Sequence, residues 1–222
     1  MAKRKPSAKS ARSPKTRSTP VGLRIIGGTF RGRKLQYAGE RCVRPMKDRV
    51  REAVFNLVGP SIKGKHAVDL FAGTGAIGLE AISRGATSAT FIECHYPTVR
   101  TLSENIATLA VESRCEVIVA DTFVWLRQAP RLVLQPWVVF ISPPYEFYVS
   151  RTEAMLGLVD TIYGMAPPES VLMVESDQRF DASLLSEPER WDIRDYPPAR
   201  VGIRRKPAQE PVDSNVSTAK DV

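Results

Sequence analysis

The chain has 222 residues, of which 32 are Lys or Arg and 24 are Asp or Glu, for a formal net charge of +8. This length fits one α/β domain, and the 43% of apolar residues suffices for a buried core, which excludes a wholly disordered chain. Residues 1–51 hold 16 basic and 2 acidic residues, whereas residues 52–222 hold 16 and 22. This asymmetry predicts contact with a polyanion.

No apolar run approaches the roughly 18 residues that a membrane-spanning helix needs, and the N-terminus lacks the apolar core of a signal peptide. The three Cys and two His residues are dispersed and form no ligand cluster. We therefore expect a cytoplasmic protein without a metal.

The N-terminal quarter of the chain divides into a tail and a small folded segment. Residues 1–20 carry seven cations and no acid, and should form a disordered basic tail. Residues 23–37 predict a short hairpin around a Gly-rich basic turn. Apolar spacing predicts a helix over Asp48–Val58, with Asp48 as its N-cap.

Strands and helices alternate from residue 66 onward, which predicts a Rossmann-like α/β fold with a mostly parallel, seven-stranded sheet and helices on both faces. Ligands of such sheets bind at the carboxyl ends of the strands. The predicted strands cover residues 67–71, 89–93, 116–120, 137–141 and 171–174, with a closing antiparallel pair at 191–196 and 200–205.

Three acids lie at or beside predicted strand ends, namely Asp69, Glu93 and Asp121. Gly73–Gly78 forms a GxGxxG sequence that allows close approach of a ligand to the backbone, in a nicotinamide enzyme or a methyltransferase. Asp69 precedes the first glycine by four residues, where a carboxylate disfavours a pyrophosphate and favours the cationic sulfonium of S-adenosylmethionine.

A second motif, Ser142-Pro143-Pro144-Tyr145, follows the fourth predicted strand. Its prolines fix an extended loop that presents a hydroxyl, a backbone carbonyl and an aromatic face together. These groups suit a flat base with an exocyclic amino group, whose hydrogens need acceptors and whose ring needs a stacking partner.

The two motifs together resemble class I, amino-directed nucleic-acid methyltransferases. The N-terminal segments 24–28, 31–35 and 44–56, with their Arg-Pro and Asp-Arg-Val-Arg-Glu sequences, are similar to the bacterial 16S ribosomal RNA guanine-N2 methyltransferase family, small-subunit methyltransferase D. The resemblance covers residues 23–205. Ser142 stands where this family usually has Asp, and Met46 where it usually has Thr.

The resemblance implies methyl transfer from S-adenosylmethionine to a guanine N2 in 16S rRNA of the assembling or assembled small subunit, by a monomer. It implies an RNA-binding extension of hairpin and helix (21–60) and a methyltransferase domain (61–206). Composition alone predicts the disordered tails at 1–20 and 207–222, and the basic tail lies outside the family pattern. The catalytic loop would be Ser142, Pro143 and Tyr145, and the cofactor would lie against Asp69, Phe71, Gly73, Gly75, Glu93 and Asp121. RNA would contact the 44–51 segment and the hairpin, through Arg31, Arg33, Lys34, Arg44 and Arg49.

Three other interpretations remain open from the sequence. Ser-Pro-Pro-Tyr also occurs in DNA amino methyltransferases, although sequence-specific ones usually carry an additional recognition domain. The replacement of Asp by Ser142 also fits a non-catalytic RNA-binding assembly factor. An NAD-dependent oxidoreductase fits the glycine motif and is disfavoured by Asp69.

Overall fold

The computed structural model describes residues 22–37, 45–128, 130 and 132–209. Seven strands form one sheet in this part of the chain. They are β1 (His66–Asp69), β2 (Ser88–Glu93), β3 (Cys115–Val119), β4 (Trp137–Ile141), β5 (Val171–Asp177), β6 (Asp192–Tyr196) and β7 (Ala199–Arg205). Their order is β3-β2-β1-β4-β5-β7-β6, and neighbouring strands are parallel except where β7 pairs with β5 and β6. The predicted sheet is confirmed, including its antiparallel edge.

Helices cover both faces of this sheet. They are α1 (Asp48–Val58), α2 (Ala76–Ser83), α3 (Tyr96–Leu109), α4 (Thr122–Arg127), α5 (Phe147–Ser150) and α6 (Thr152–Met165), with 3-10 turns at Gly59–Ile62, Glu112–Arg114, Ala182–Leu184 and Pro188–Arg190. The sequence did not predict α4 and α5, because six and four residues are too few to establish a helical period. None of the described helices is long and apolar enough to cross a membrane.

The central strands are buried on both sides because their residues alternate between two cores. Ala67, Phe91 and Phe140 point into one core, which is closed by α1, α2 and α3. Their neighbours along the strands, such as Val68 and Ile92, point into the other core with α4 and α6. A sheet covered in this way leaves its strand ends as the accessible edges.

The N-terminal segment packs against the same core as the sheet. The predicted hairpin is reduced to a single antiparallel bridge between Arg24 and Lys34, and its apolar residues Leu23, Ile25 and Leu35 are buried. The predicted N-cap of α1 is wrong. Lys47 occupies that position, and the Asp48 carboxylate instead pairs with the Arg24 and Arg51 guanidinium groups.

A buried carboxylate joins this segment to α2. Glu80 is fully buried and accepts hydrogen bonds from the backbone N–H groups of Ile26 and Gly27, both at 2.7 Å. It also pairs with Arg84 Nε at 2.8 Å and with Arg51 Nε at 3.7 Å. Because Arg51 is fully buried in this network, the expectation that the whole 44–51 segment contacts RNA is wrong for this residue.

Candidate active site at the carboxyl edge of the sheet

Four polar side chains lie at one edge of the sheet. Asp69 and Glu93 end β1 and β2, Asp121 follows β3 by two residues, and Ser142 follows β4 directly. Since β1 to β4 are parallel, these side chains share the edge at which ligands of doubly wound sheets bind.

Asp69 is a fully buried acid, and one of its oxygens has no hydrogen-bond partner among the described residues. That oxygen is Oδ1, whereas Oδ2 accepts a hydrogen bond from the Gly78 N–H at 3.2 Å. Burial raises the pKa of Asp69 to about 7, the Gly78 N–H opposes this shift, and the nearby Glu93 adds to it. A cation or a hydrogen-bond donor placed here would stabilise the ionised form.

Glu93 is held by two backbone groups. Its Oε2 accepts from the Gly73 N–H at 2.9 Å, and its Oε1 accepts from the His95 N–H at 2.8 Å. Gly73 adopts φ +52°, in the left-handed region that favours glycine. The glycine loop therefore fixes the rotamer of the acid that ends the neighbouring strand.

The remaining glycines of the motif allow close packing. A Cβ on Gly75, which has φ +82°, would lie 2.3 Å from Leu102 Cδ1 of α3. A Cβ on Gly78 would lie 2.3 Å from Phe91 Cε1 of β2. These contacts bring the start of α2 against the sheet, where the Gly78 N–H reaches Asp69.

Asp121 and Phe71 lie beside an aromatic cluster. Asp121 caps α4, since its Oδ1 accepts from the Val124 N–H at 3.0 Å. The Phe71 ring centroid lies 6.1 Å from that of Phe123 and 6.2 Å from that of Phe147. No sequence motif indicates Phe123 and Phe147, because they lie in helices of six and four residues, too short to show a period. An adjoining cavity of about 310 Å³ is lined by Asp121, Phe123, Val124, Arg127, Arg151 and Ala154.

The Ser-Pro-Pro-Tyr loop is hydrogen-bonded to the carboxylate of Glu175, which was not among the predicted site residues. The Ser142 hydroxyl donates to Glu175 Oε2, and the Tyr145 hydroxyl donates to Glu175 Oε1 at 2.6 Å. Glu175 lies in β5 and is 4% exposed. Burial raises its pKa, and the two hydrogen bonds oppose the shift. Pro143 is buried beside this cluster. The sequence does contain an indication of Glu175, since it directly follows the apolar run of residues 171–174. The same pattern, an acid at the end of an apolar strand, indicated Asp69 and Glu93.

The basic residues predicted to bind RNA are exposed where the structure describes them. Arg31, Lys34 and Arg49 are exposed, as is Arg33, which donates to the Thr108 carbonyl at 2.6 Å; Arg44 lies outside the described residues, as does the basic tail. Arg49 lines a groove of about 450 Å³ with the β6–β7 turn. This turn lies at the carboxyl edge, because Ala199 pairs with Asp177 at the end of β5.

No group of three or more His, Cys, Asp or Glu residues among those described could hold a metal ion. His66 is bonded to the hydroxyls of Ser88 and Thr90, and burial lowers its pKa to about 4. His66 therefore belongs to the sheet interior and not to the edge with the acids.

Solved structures define the class. A Thermus thermophilus 16S rRNA N2 methyltransferase, solved with AdoMet and guanosine, shares the fold with a TM-score of 0.60 at 20% identity, covering 76% of this chain and 44% of that one. The Escherichia coli protein yhhF gives a TM-score of 0.69 at 31% identity, covering 85% of this chain and 99% of that one. The chain has the class I, S-adenosylmethionine-dependent methyltransferase fold.

Sequence comparison narrows this class to a family. The family model described as Conserved hypothetical protein 95 matches residues 23–196. The Escherichia coli K12 protein named ribosomal RNA small subunit methyltransferase D is 37% identical over 172 residues, which cover 77% of this chain and 82% of that protein. This chain belongs to the family of small-subunit ribosomal RNA methyltransferase D, and the resemblance found in its motifs is confirmed.

Proposed function

We propose that this protein transfers a methyl group from S-adenosylmethionine to the exocyclic N2 of a guanine in 16S rRNA of the small ribosomal subunit. One observation carries the proposal: the Ser142–Tyr145 loop lies at the same sheet edge as Asp69, whose buried Oδ1 has no hydrogen-bond partner among the described residues. A site with a carboxylate for a cation and a rigid aromatic loop for a base matches the rRNA methyltransferase activity for which its relative is named.

The residues at the ends of β1 to β3 fit this cofactor. Asp69 offers a buried carboxylate oxygen near the cationic end of the molecule, and Gly73 and Gly75 line its methionine part. Glu93 accepts from the ribose hydroxyls, and Asp121 accepts from the adenine amino group. Phe71 provides apolar surface beside them. When bound, the cofactor supplies a methyl group that its sulfonium charge already activates.

The loop after β4 holds the acceptor base. Guanine N2 is a weak nucleophile because its lone pair is delocalised into the ring. Ser142 Oγ and the Pro143 carbonyl accept the two amino hydrogens, which favours a pyramidal nitrogen with an available lone pair. The Tyr145 ring stacks on the base, and much of the rate comes from holding donor and acceptor in place. The amino proton leaves to water.

The exposed cations position the RNA. Arg31, Arg33, Lys34 and Arg49 contact phosphates, and we extend this role to Arg44 and to the basic tail of residues 1–20. Arg49 borders a groove beside the β6–β7 turn, and this turn lies at the sheet edge that holds Ser142. Glu52 and Asp195 also line the groove. The substrate is the assembling or assembled small subunit, and the enzyme acts as a monomer in the cytoplasm.

The test is methyl transfer from radiolabelled S-adenosylmethionine to three substrates: small subunits from a strain lacking the enzyme, free 16S rRNA, and DNA. Digestion to nucleosides and mass spectrometry then identify the modified base. We expect N2-methylguanosine in small subunits. Label in N4-methylcytosine of DNA would support the amino methyltransferase alternative raised by Ser142, and label in no substrate would favour a non-catalytic RNA-binding factor.

A further inference from the structure

Glu175 is the acid at the β5 end of the catalytic edge, and the residues of the loop surround it. Its side chain is 4% exposed, and both carboxylate oxygens accept hydrogen bonds. One comes from the Ser142 hydroxyl and the other from the Tyr145 hydroxyl at 2.6 Å. Both donors belong to the loop proposed to hold the base, so one buried carboxylate is bonded to both of its polar side chains.

The direction of the Ser142 hydrogen bond decides what Ser142 can offer to a ligand. A serine hydroxyl has one proton and two acceptor lone pairs. When the proton is donated to a carboxylate, Oγ retains lone pairs alone for any other partner. A hydrogen bond from the hydroxyl to a negative group also polarises the O–H bond, which makes Oγ a stronger acceptor.

We infer that Glu175 is a positioning residue that turns the Ser142 hydroxyl into a fixed acceptor for the amino group being methylated. The inference rests on the proposed function, because it assigns a role at the same site. In this arrangement the carboxylate acts through Ser142 and does not touch the base. It supplies to Oγ part of the negative character that a carboxylate at position 142 would supply directly.

The Glu175 carboxylate also holds the side chain of Tyr145. Because the phenol hydroxyl is anchored on Glu175, the ring is held in one orientation for stacking. Tyr145→Phe removes this anchor and keeps the ring. It therefore separates the effect of Glu175 on ring position from its effect on the Ser142 hydroxyl.

The experiment is a double-mutant cycle of Ser142→Ala and Glu175→Gln, measured as the single-turnover rate of methyl transfer to small subunits. Glu175→Gln is nearly isosteric, but its amide can donate to Ser142 and so release the serine proton. We expect Glu175→Gln to slow transfer about 10-fold to 100-fold in the wild-type background. This loss should not exceed the roughly 10²–10³-fold reduction in rate that follows when a transition-state hydrogen bond is lost outright. In the Ser142→Ala background, with Tyr145→Phe also present, it should slow transfer less than about 2-fold, because both hydroxyls that bond Glu175 are then absent.

A merely structural role for Glu175 predicts another outcome, namely the same fold reduction in both backgrounds. That result would overturn the inference. Cofactor affinity and the urea midpoint are measured for all four proteins, and the cycle is repeated with Tyr145→Phe throughout to remove the second hydrogen bond. If Glu175→Gln does not fold, Glu175→Asp, which keeps the charge but is one methylene shorter, goes through the same cycle.

The proposed function and the role of Glu175 can fail separately. A wild-type protein that methylates no rRNA would contradict the proposed function. A wild-type protein that methylates rRNA, together with equal losses in both backgrounds, would contradict the role of Glu175 alone.

Discussion

The acids of the carboxyl edge are held in two different ways in its two halves. On the side of β1 and β2, Asp69 and Glu93 accept hydrogen bonds from backbone N–H groups of the glycine loop and its neighbours. On the side of β4 and β5, Glu175 accepts from the side-chain hydroxyls of Ser142 and Tyr145. We call these the cofactor half and the base half, after the roles proposed for them.

The difference separates what is fixed by the fold from what single residues determine. Backbone N–H groups are present whatever the side chain, so the cofactor half depends on glycine conformation and packing. The base half depends on two particular hydroxyls, so one substitution there changes the hydrogen-bonding character of the site. Ser142 lies in that second half.

The largest effect is expected for the pH dependence of stability at Asp69 in the cofactor half. Its folded pKa of about 7 lies above the ordinary value of 3.8. Asp69 therefore contributes stability in full below about pH 4, and loses it as the pH rises through 7. The shift corresponds to at most about 4 kcal/mol of unfolding free energy.

Asp69→Asn removes this titration. Urea unfolding of wild type and variant between pH 4 and pH 8 measures it, because other groups cancel in the difference between the two curves. We expect the free energy of unfolding of the variant to increase relative to that of wild type as the pH rises. A difference that stays constant over the range would show that Asp69 does not titrate there.

Glu93→Ala tests the cofactor half through binding. The substitution should weaken the binding of S-adenosylmethionine by about 1.5–3 kcal/mol, the range for a hydrogen bond to a charged group. Calorimetry measures the affinity, with Glu104→Ala, an exposed acid of α3, as the matched control. Glu175→Gln belongs to the base half and should keep wild-type cofactor affinity. Equal losses of cofactor affinity in Glu93→Ala and Glu175→Gln would show that the two halves do not differ in their contribution to cofactor binding.

The sequence predicted that Asp69 and Glu93 lie at strand ends, because the signals for their positions are local. Asp69 and Glu93 each end an apolar strand run, and the three glycines that shape the loop lie within six residues of one another. The seven strands and the helix Asp48–Val58 were predicted for the same reason, since their burial pattern repeats along the chain. The assignment of individual residues to the cofactor remains a prediction.

The sequence could not reveal contacts that join distant segments. Glu175 lies 33 residues after Ser142 in the chain, and their hydrogen bond exists because β4 and β5 are neighbours. Arg51 stands in a basic stretch that indicated RNA binding, but it is fully buried, and its Nε lies 3.7 Å from the buried carboxylate of Glu80 in α2. Charge along the sequence cannot distinguish an arginine that faces solvent from one that neutralises a buried acid.

Tyr145 offers a test within the base half. Tyr145→Ala should lose the stacking contribution of about 1–3 kcal/mol in productive RNA binding and keep cofactor affinity. Tyr145→Phe, which keeps the ring and loses the hydrogen bond to Glu175, should retain most of this contribution. Titration of small subunits under single-turnover conditions measures the half-saturating concentration. If Tyr145→Ala saturates like wild type, the loop does not stack on the base.

The smallest effect is expected at Arg49, one of the exposed cations, because a single phosphate contact is lost. Arg49→Ala should leave stability unchanged and weaken RNA binding in low salt. The slope of log affinity against log salt should fall by about 0.7–0.9, the value for one lost phosphate contact. The matched control is Arg190→Ala, an exposed arginine just before β6, on the side of the strands' amino ends. Filter binding of 16S rRNA over a salt series gives both slopes. A slope unchanged by Arg49→Ala, or reduced equally by Arg190→Ala, would mean that the groove beside the β6–β7 turn does not carry the RNA, and that the base reaches Ser142 along another face.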